Sequence, residues 1–181
     1  MTISKKTYKI NLALQGGGAH GAYTWGVLDR LLEEEDIDIE GISGTSAGAM
    51  NAAILANGFM KDGRYGAKKA LHDFWWQISL LGKVTSPFKS SKYQNQHHNW
   101  NLDWSLSYNA FEMMSHLLSP YQINPMNMNP LKWILEKTID TELIQSCKAI
   151  KIFVAATTVR TGHARIFKGH EVTIDVLLAS A

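Results

Sequence analysis

Ser46 is the residue of this sequence whose neighbours point most directly to chemistry. It stands in Gly44-Thr45-Ser46-Ala47-Gly48, which matches the G-x-S-x-G pattern of a nucleophile elbow. In such a turn a strained backbone holds the serine hydroxyl above a sheet, and small neighbours let the chain fold back tightly. The N-terminus of the helix that follows favours the negative charge that develops during attack on a carbonyl. The pattern predicts that Ser46 is a nucleophile.

A second glycine cluster precedes this turn, at Gly16, Gly17, Gly18 and Gly21. If the two turns follow neighbouring parallel strands, they lie side by side at one edge of the sheet. The backbone N–H groups of Gly17 and Gly18 are then expected to point at the oxyanion that forms when Ser46 attacks an acyl carbonyl. Residues without side chains are needed for that close approach. The cluster therefore predicts an oxyanion hole.

The same cluster has a rival interpretation as Gly16-x-Gly18-x-x-Gly21, the pattern that binds nicotinamide or flavin dinucleotides. Glu40 follows this cluster at a spacing of about 20 residues, as expected for the acid that binds the ribose. That acid belongs at the carboxyl end of the second strand, whereas Glu40 falls inside a strand that continues to Ser46. A dinucleotide-binding oxidoreductase is the rival hypothesis, and a hydrolase accounts for both turns together.

Strand and helix signals alternate in a way that positions these turns. Apolar runs and helical spacing predict strands at 10–14 and 37–42 and helices at 22–32, 47–57 and 65–78. Later patterns predict a helix at 131–137, a strand at 150–159 that turns at Thr161-Gly162 into a partner strand through 167, and a helical stretch at 172–181. The alternation predicts an α/β fold with a mixed or mainly parallel central sheet between helices.

Two segments together resemble the patatin-like phospholipase family: Leu14-Gln-Gly-Gly-Gly-Ala-His-Gly21 and Gly41-Ile-Ser-Gly-Thr-Ser-Ala-Gly-Ala-Met-Asn-Ala52. The resemblance is strong over 10–78 and returns at 153–157 and 177–181. It implies hydrolysis of lipid acyl esters by a serine–aspartate dyad without a catalytic histidine. Ser46 matches the nucleophile, and the four glycines at 16, 17, 18 and 21 match the oxyanion loop. No metal or organic cofactor is expected.

The sequence departs from the family pattern in three places. His20 stands where the family commonly has Arg or Lys, and Gln15 where it often has Asp. The family's aspartate lies in an Asp-Gly-Gly or Asp-Gly-Ala segment after an Ala-Ser-Ala-x-x-Pro stretch, and this sequence stops at Ala181 inside that stretch. Asp62-Gly63 does not match. Residues 1–181 are thus expected to be most of one hydrolase domain, with the general-base aspartate supplied by the C-terminal remainder beyond Ala181.

Other arrangements of polar residues are weaker candidates. A serine–acid–histidine triad could combine Ser46 with Asp140 and either His163 or His170. His97-His98 has the look of a metal site, but a solvated loop is favoured because no Cys or carboxylate lies at ligand spacing.

Two further stretches of the sequence allow structural or functional interpretations. The aromatic and methionine-rich segment 100–128 fits either a lid or acyl groove or a helix on the core. Cys147 is interpreted as a buried small hydrophobe. A lipid-binding module without catalysis is the remaining alternative for the whole domain.

Composition narrows the partners and the compartment. The 181-residue chain has 45% hydrophobic and 19% charged residues, which is the composition of a globular domain. Its net charge of +2 gives no indication of nucleic-acid binding. The single cysteine fits a reducing compartment, so the cytoplasm is the expected location. No window reaches the roughly 18 apolar residues of a membrane span. The expected partner is a lipid or other acyl ester, with at most peripheral membrane contact.

Overall fold

The computed structural model describes residues 7–85 and 129–181 of the chain. Residues 1–78 and 131–181 form one compact unit, and 79–130 form a second. The elements in chain order are β1 Tyr8–Leu14, α1 Gly21–Leu31, β2 Ile37–Gly44, α2 Ala47–Thr85, α3 Pro130–Thr138, α4 Thr141–Ser146, β3 Lys151–Thr157, β4 Ala164–Lys168 and α5 Ile174–Ala179. Short 3-10 turns at Gly18–His20 and Gly169–Glu171 precede α1 and follow β4.

The sheet has four strands in the order β1-β2-β3-β4. The first two pairings are parallel, and β4 runs antiparallel to β3. A hairpin joins the last pair, where Gly162 takes a φ of 70° and donates its N–H to the carbonyl of Thr158 at 2.8 Å. The predicted α/β fold with a mainly parallel sheet is confirmed, and so is the predicted turn at Thr161-Gly162.

The buried core includes one face of the sheet and the first half of α2. Ile42, Ile152 and Val154 are buried on the strands, whereas Asn11 and Ser43 on the other face are exposed. In the first half of α2, a run of small and branched residues is completely buried: Ala49, Ala52, Ala53, Ile54, Leu55 and Ala56. A helix buried all round needs apolar side chains on every face, which explains the unusual composition of this segment.

Helix α2 is broken at Asp62 and Gly63, where the sequence predicts a turn between two helices. Asp62 has φ −153° and ψ 45°, and Gly63 has φ 53° and ψ −142°, so neither is helical. The two halves meet closely, because a Cβ added to Gly58 would lie 2.4 Å from the carbonyl oxygen of Gly66. The separate helices predicted at 47–57 and 65–78 are therefore confirmed.

Several predicted boundaries and environments need correction. Helix α4 had no sequence prediction, and Cys147, expected to be buried, is only partly buried because it ends this short helix, whose buried side chain is Ile144. The strand predicted at 150–159 ends at Thr157. The helix predicted from 172 begins two residues later, where the Thr173 hydroxyl accepts the N–H of Val176. The candidates at 97–98 and 100–128 lie outside the described residues.

Candidate active site

Ser46 lies in a sharp turn between the end of β2 and the start of α2. Its φ of 50° is positive, and no other non-glycine residue of 7–85 or 129–181 has a positive φ. A residue held in such a region costs about 1–3 kcal/mol and persists only where the surroundings fix it. The turn is closed by the N–H of Gly48, which donates to the carbonyl of Thr45 at 2.8 Å. Strain is thus concentrated at the residue predicted to be the nucleophile.

The glycines on either side of Ser46 are needed for packing. A Cβ on Gly44 would lie 2.6 Å from the carbonyl carbon of Gly48, and one on Gly48 would lie 2.3 Å from the carbonyl oxygen of Leu14. Both neighbours are backbone atoms, which cannot move aside without displacing a strand or a helix. The turn therefore requires glycine at both positions, and it presses directly against the end of β1.

The glycine loop after β1 lies against the Ser46 turn. A Cβ on Gly16 would meet the Cβ of Ser46 at 3.0 Å, and the N–H of Thr45 donates to the carbonyl of Leu14 at 3.4 Å. Gly17 and Gly18 have φ values of 153° and 54°, a backbone path that favours glycine. The parallel pairing of β1 and β2 thus places the two predicted turns side by side.

A buried asparagine ties the start of α1 to α2. Asn51 is completely buried, donates to the carbonyl of Gly21 at 3.0 Å and accepts the indole N–H of Trp75 at 2.8 Å. Gly21 leaves no space there, since an added Cβ would lie 2.7 Å from the Cβ of Ala47. Asn51 was not predicted as a site residue, although an amide among the apolar residues of 47–57 is itself a sign of a buried hydrogen bond.

Ser180, at the end of α5, is the second residue that the sequence analysis missed. Its Oγ accepts the backbone N–H of Ser46 at 2.9 Å and donates to the carbonyl of Ala155 on β3 at 2.6 Å. These two bonds connect the turn after β2 with the neighbouring strand. No local pattern announces the contact, because the partners are 134 residues apart.

An apolar cavity of about 380 Å³ opens beside Ser46. Its lining includes Ser46 and Gly18 together with large apolar side chains from both halves of α2 and from α3: Met50, Phe74, Trp75, Ile78 and Leu131. Phe74 and Trp75 pack edge to face with ring centroids 5.4 Å apart. The volume lies within the range of roughly 300–1,000 Å³ that is usual for small-ligand sites.

The other predicted partners of Ser46 lie elsewhere. Asp140 caps α4, accepting the N–H groups of Glu142 at 3.0 Å and Leu143 at 3.4 Å. Among the described residues, no imidazole or carboxylate is hydrogen-bonded to the Ser46 hydroxyl, so neither His163 nor His170 completes a triad in this structure.

The acid of the rival dinucleotide hypothesis is also displaced from the site. Glu40 is the extra residue of a bulge in β2, between the pairs that Ile39 and Gly41 form with β1. Its carboxylate faces the ammonium of Lys151 at 3.5 Å. Glu40 therefore lies within the strand and not at its carboxyl end, where a ribose would need it.

His20 belongs to the glycine loop itself. Its Nδ1 lies 3.1 Å from the carbonyl oxygen of Gly17, which is hydrogen-bonding distance. The side chain is exposed, and it stands where the resemblance leads one to expect Arg or Lys. In this structure the imidazole braces the loop.

In 7–85 and 129–181, no three His, Cys, Asp or Glu side chains are grouped so that they could bind a metal ion. Over the same ranges, no helix combines the length and the apolar character required to cross a bilayer.

A mostly parallel α/β fold, with a strained serine turn set against a glycine loop, is the architecture of proteins that carry a nucleophile elbow. The family model described as patatin-like phospholipase matches residues 12–181, and the chain belongs to this family. The family is one of lipid hydrolases, so the resemblance seen in the two glycine segments is confirmed.

Two solved structures are similar to this chain, both of the type III effector ExoU. The heterodimeric ExoU–SpcU complex from the Pseudomonas aeruginosa type III secretion system matches with 20% identity and a TM-score of 0.46, over 97% of this chain and 36% of that one. A crystal structure of ExoU matches with 16% identity and a TM-score of 0.42, over 97% and 39%. The chain thus spans well under half the length of these proteins. A search of curated proteins gave no match.

Proposed function

We propose that the protein is a serine acyl hydrolase that cleaves lipid acyl esters, with Ser46 as the nucleophile. The observation that carries this proposal is the position of Ser46, on a strained turn that lines an apolar cavity and adjoins a glycine loop. Membership of the patatin-like phospholipase family supports lipid hydrolysis as the general activity.

In the proposed reaction, Ser46 Oγ adds to the acyl carbonyl carbon and passes its proton to a general base. The tetrahedral intermediate then collapses, the ester C–O bond breaks, and the alcohol leaves with a proton from the same acid–base group. Water hydrolyses the acyl-enzyme by the reverse sequence of proton transfers. The base is proposed to be an aspartate from the C-terminal remainder beyond Ala181, as the family resemblance implies.

The oxyanion is proposed to bind to the loop of Gly16, Gly17, Gly18 and Gly21. The N–H of Ser46 is already bonded to Ser180, so it is not free to stabilise negative charge on the substrate. The proposed donors are N–H groups of the neighbouring loop, above all those of Gly17 and Gly18. Losing one oxyanion donor in other hydrolases raises the barrier by about 2.7–4 kcal/mol, so the loop matters nearly as much as the nucleophile.

The cavity supports a substrate with an apolar chain. Met50, Phe74, Trp75 and Ile78 offer an apolar wall beside Ser46, and methionine and aromatic side chains adapt well to flexible hydrocarbon. The acyl group is proposed to occupy this wall while the ester lies at Ser46. Because such lipids reside in bilayers, the protein is proposed to act from the cytoplasm at a membrane surface.

Replacement of the nucleophile tests this function. In the full-length protein, Ser46→Ala should lower the hydrolysis of a short nitrophenyl ester by at least about 10³-fold, since removal of a catalytic serine has effects of this size or larger. A fluorophosphonate should label the wild-type protein at Ser46 and leave the variant unlabelled. Ser146→Ala, which removes a hydroxyl bonded within the described residues only to the carbonyl of Leu143, is the matched control. Wild-type turnover by Ser46→Ala would exclude the mechanism.

One observation favours a second candidate, a lipid-binding module without catalysis. Within the described residues, the Ser46 hydroxyl has no acid or imidazole partner. Such a module would bind vesicles or fatty acid but would neither turn over ester nor react with the fluorophosphonate.

Calorimetric titration with NAD(P) tests the oxidoreductase hypothesis. That hypothesis requires a heat of binding that the substitution Gly18→Ala abolishes.

A further inference from the structure

The Ser180 hydroxyl uses its proton and one of its lone pairs to hold the Ser46 turn. A hydroxyl has one proton and two lone pairs. The proton goes to the carbonyl of Ala155 at 2.6 Å, and a lone pair accepts the N–H of Ser46 at 2.9 Å. Its orientation is therefore fixed by two backbone groups on different elements.

This contact falls on the strained residue itself. The carbonyl of Ser46 accepts the N–H of Met50 at 3.1 Å and so starts α2, which leaves the N–H as the other polar group of that backbone unit. Ser180 satisfies it. With both backbone groups bonded, the φ of 50° at Ser46 is held from two sides.

Helix α5, which positions Ser180, is packed into the core and capped. Leu177, in the helix, and Val172, just before it, are completely buried, and the Thr173 hydroxyl caps the first turn. The next residue after Ser180, Ala181, lines the cavity beside Ser46. Ser180 thus stands between a packed helix and the site.

We propose that Ser180 is a positioning residue, which rests on the proposed function of Ser46. By anchoring the Ser46 N–H to β3, it fixes the backbone conformation from which the hydroxyl attacks. It also engages that N–H, so that the Ser46 amide does not bind the oxyanion. Ser180 itself touches neither the substrate nor the reacting atoms.

Three variants of the full-length protein test this role. Ser180→Ala should lower kcat on a nitrophenyl ester by about 10-fold to 100-fold with KM nearly unchanged, because a small misplacement of a reacting group has effects of this size. The rate of fluorophosphonate labelling at Ser46 should fall with kcat. The kcat of Ser180→Cys, whose thiol is a weak acceptor, should lie between those of Ser180→Ala and the wild type. Ser180→Thr should retain most of the activity.

Hydrogen exchange gives a readout that does not depend on turnover. The Ser46 amide should exchange faster in Ser180→Ala than in the wild type. In Ser146→Ala, both the exchange rate of the Ser46 amide and kcat should be unchanged. If Ser180→Ala does not fold, Ser180→Cys provides the same comparison with nearly the same side-chain volume.

The outcomes separate the two proposals. A wild-type protein that neither hydrolyses ester nor reacts with fluorophosphonate overturns the proposed function and, with it, the role of Ser180. An active wild type whose folded Ser180→Ala or Ser180→Cys variant keeps full kcat and full labelling rate overturns the role of Ser180 alone.

Discussion

The two ends of helix α1 are built in opposite ways. At its start, Gly21 packs against Ala47 and Trp75 so closely that no side chain fits. At its end, the chain is held by long charged side chains that reach across from α2, chiefly Arg64 and Lys68. The difference teaches that the site end is positioned by close packing, where no atom can be added, whereas the outer end is held by the hydrogen bonds and ion pairs of partly exposed side chains.

The outer end shows how such side chains work. The Arg64 guanidinium donates to the carbonyls of Leu32 at 3.4 Å, Glu34 at 2.9 Å and Ile37. These carbonyls lie at and beyond the end of α1, where a helix has no partners of its own for its last C=O groups. One planar group therefore closes the helix and fixes the path into β2.

The largest effect is expected where a side chain is added at the site end. Gly21→Ala should lower the free energy of unfolding by about 3 kcal/mol, because its Cβ would lie 2.7 Å from the Cβ of Ala47 and 2.9 Å from the Trp75 ring. Gly26→Ala is the matched control, since nothing lies within 4 Å of its added Cβ. That variant should gain roughly 0.5–1 kcal/mol from helix propensity. Urea unfolding measures the free energy of unfolding of both variants. Equal changes in the two would contradict the tight packing inferred for the site end.

A smaller loss is expected at the outer end. Arg64→Ala should lower the free energy of unfolding by about 1–3 kcal/mol, because it leaves partly buried carbonyls without a charged donor. Arg64→Lys should recover only part of this, since an ammonium cannot span three carbonyls as a planar guanidinium does. Urea titration with a fixed m-value checks both, and a neutral Arg64→Ala would show that water replaces the side chain.

The smallest effect is expected for the exposed ion pairs. The hydrogen bond from Lys68, at 2.7 Å, lowers the pKa of the Glu33 carboxyl below its ordinary value of 4.5. A carboxyl with a lowered pKa stabilises the fold when the pH is above the ordinary pKa. This contribution to stability is lost as the pH falls through the lowered pKa. The difference in Tm between the wild type and Lys68→Met should therefore be small at about pH 7, smaller in high salt, and absent in strong acid. A difference that grew in acid would contradict this sign.

Local signals in the sequence predicted most of the fold. Strand, glycine turn and helix follow one another within short windows at both 10–32 and 37–57, and the structure places elements there. The two turns could be placed side by side because parallel pairing of neighbouring strands is the simplest consequence of that order. Helix α4 escaped prediction because six residues give too little periodicity, although Asp140 is a good cap.

Contacts between distant residues could not be predicted in this way. Asn51, Arg64 and Ser180 each bond to backbone groups 25 to 134 residues away. Their partners are backbone carbonyls and amides, which do not depend on residue type, so the sequence does not identify which residues supply them. Such contacts emerge only when the packed arrangement of helices and strands is known.

The bond between Ser180 and Ser46 also sets an order of assembly. Synthesis proceeds from the N-terminus, so the glycine loop, the Ser46 turn and both halves of α2 leave the ribosome well before residue 180 does. Until then the Ser46 N–H has no side-chain acceptor and the strained turn is supported from one side only. The sequence separation of 134 residues means that this bond can form only after β3 and α5 have been synthesised and packed beside the Ser46 turn.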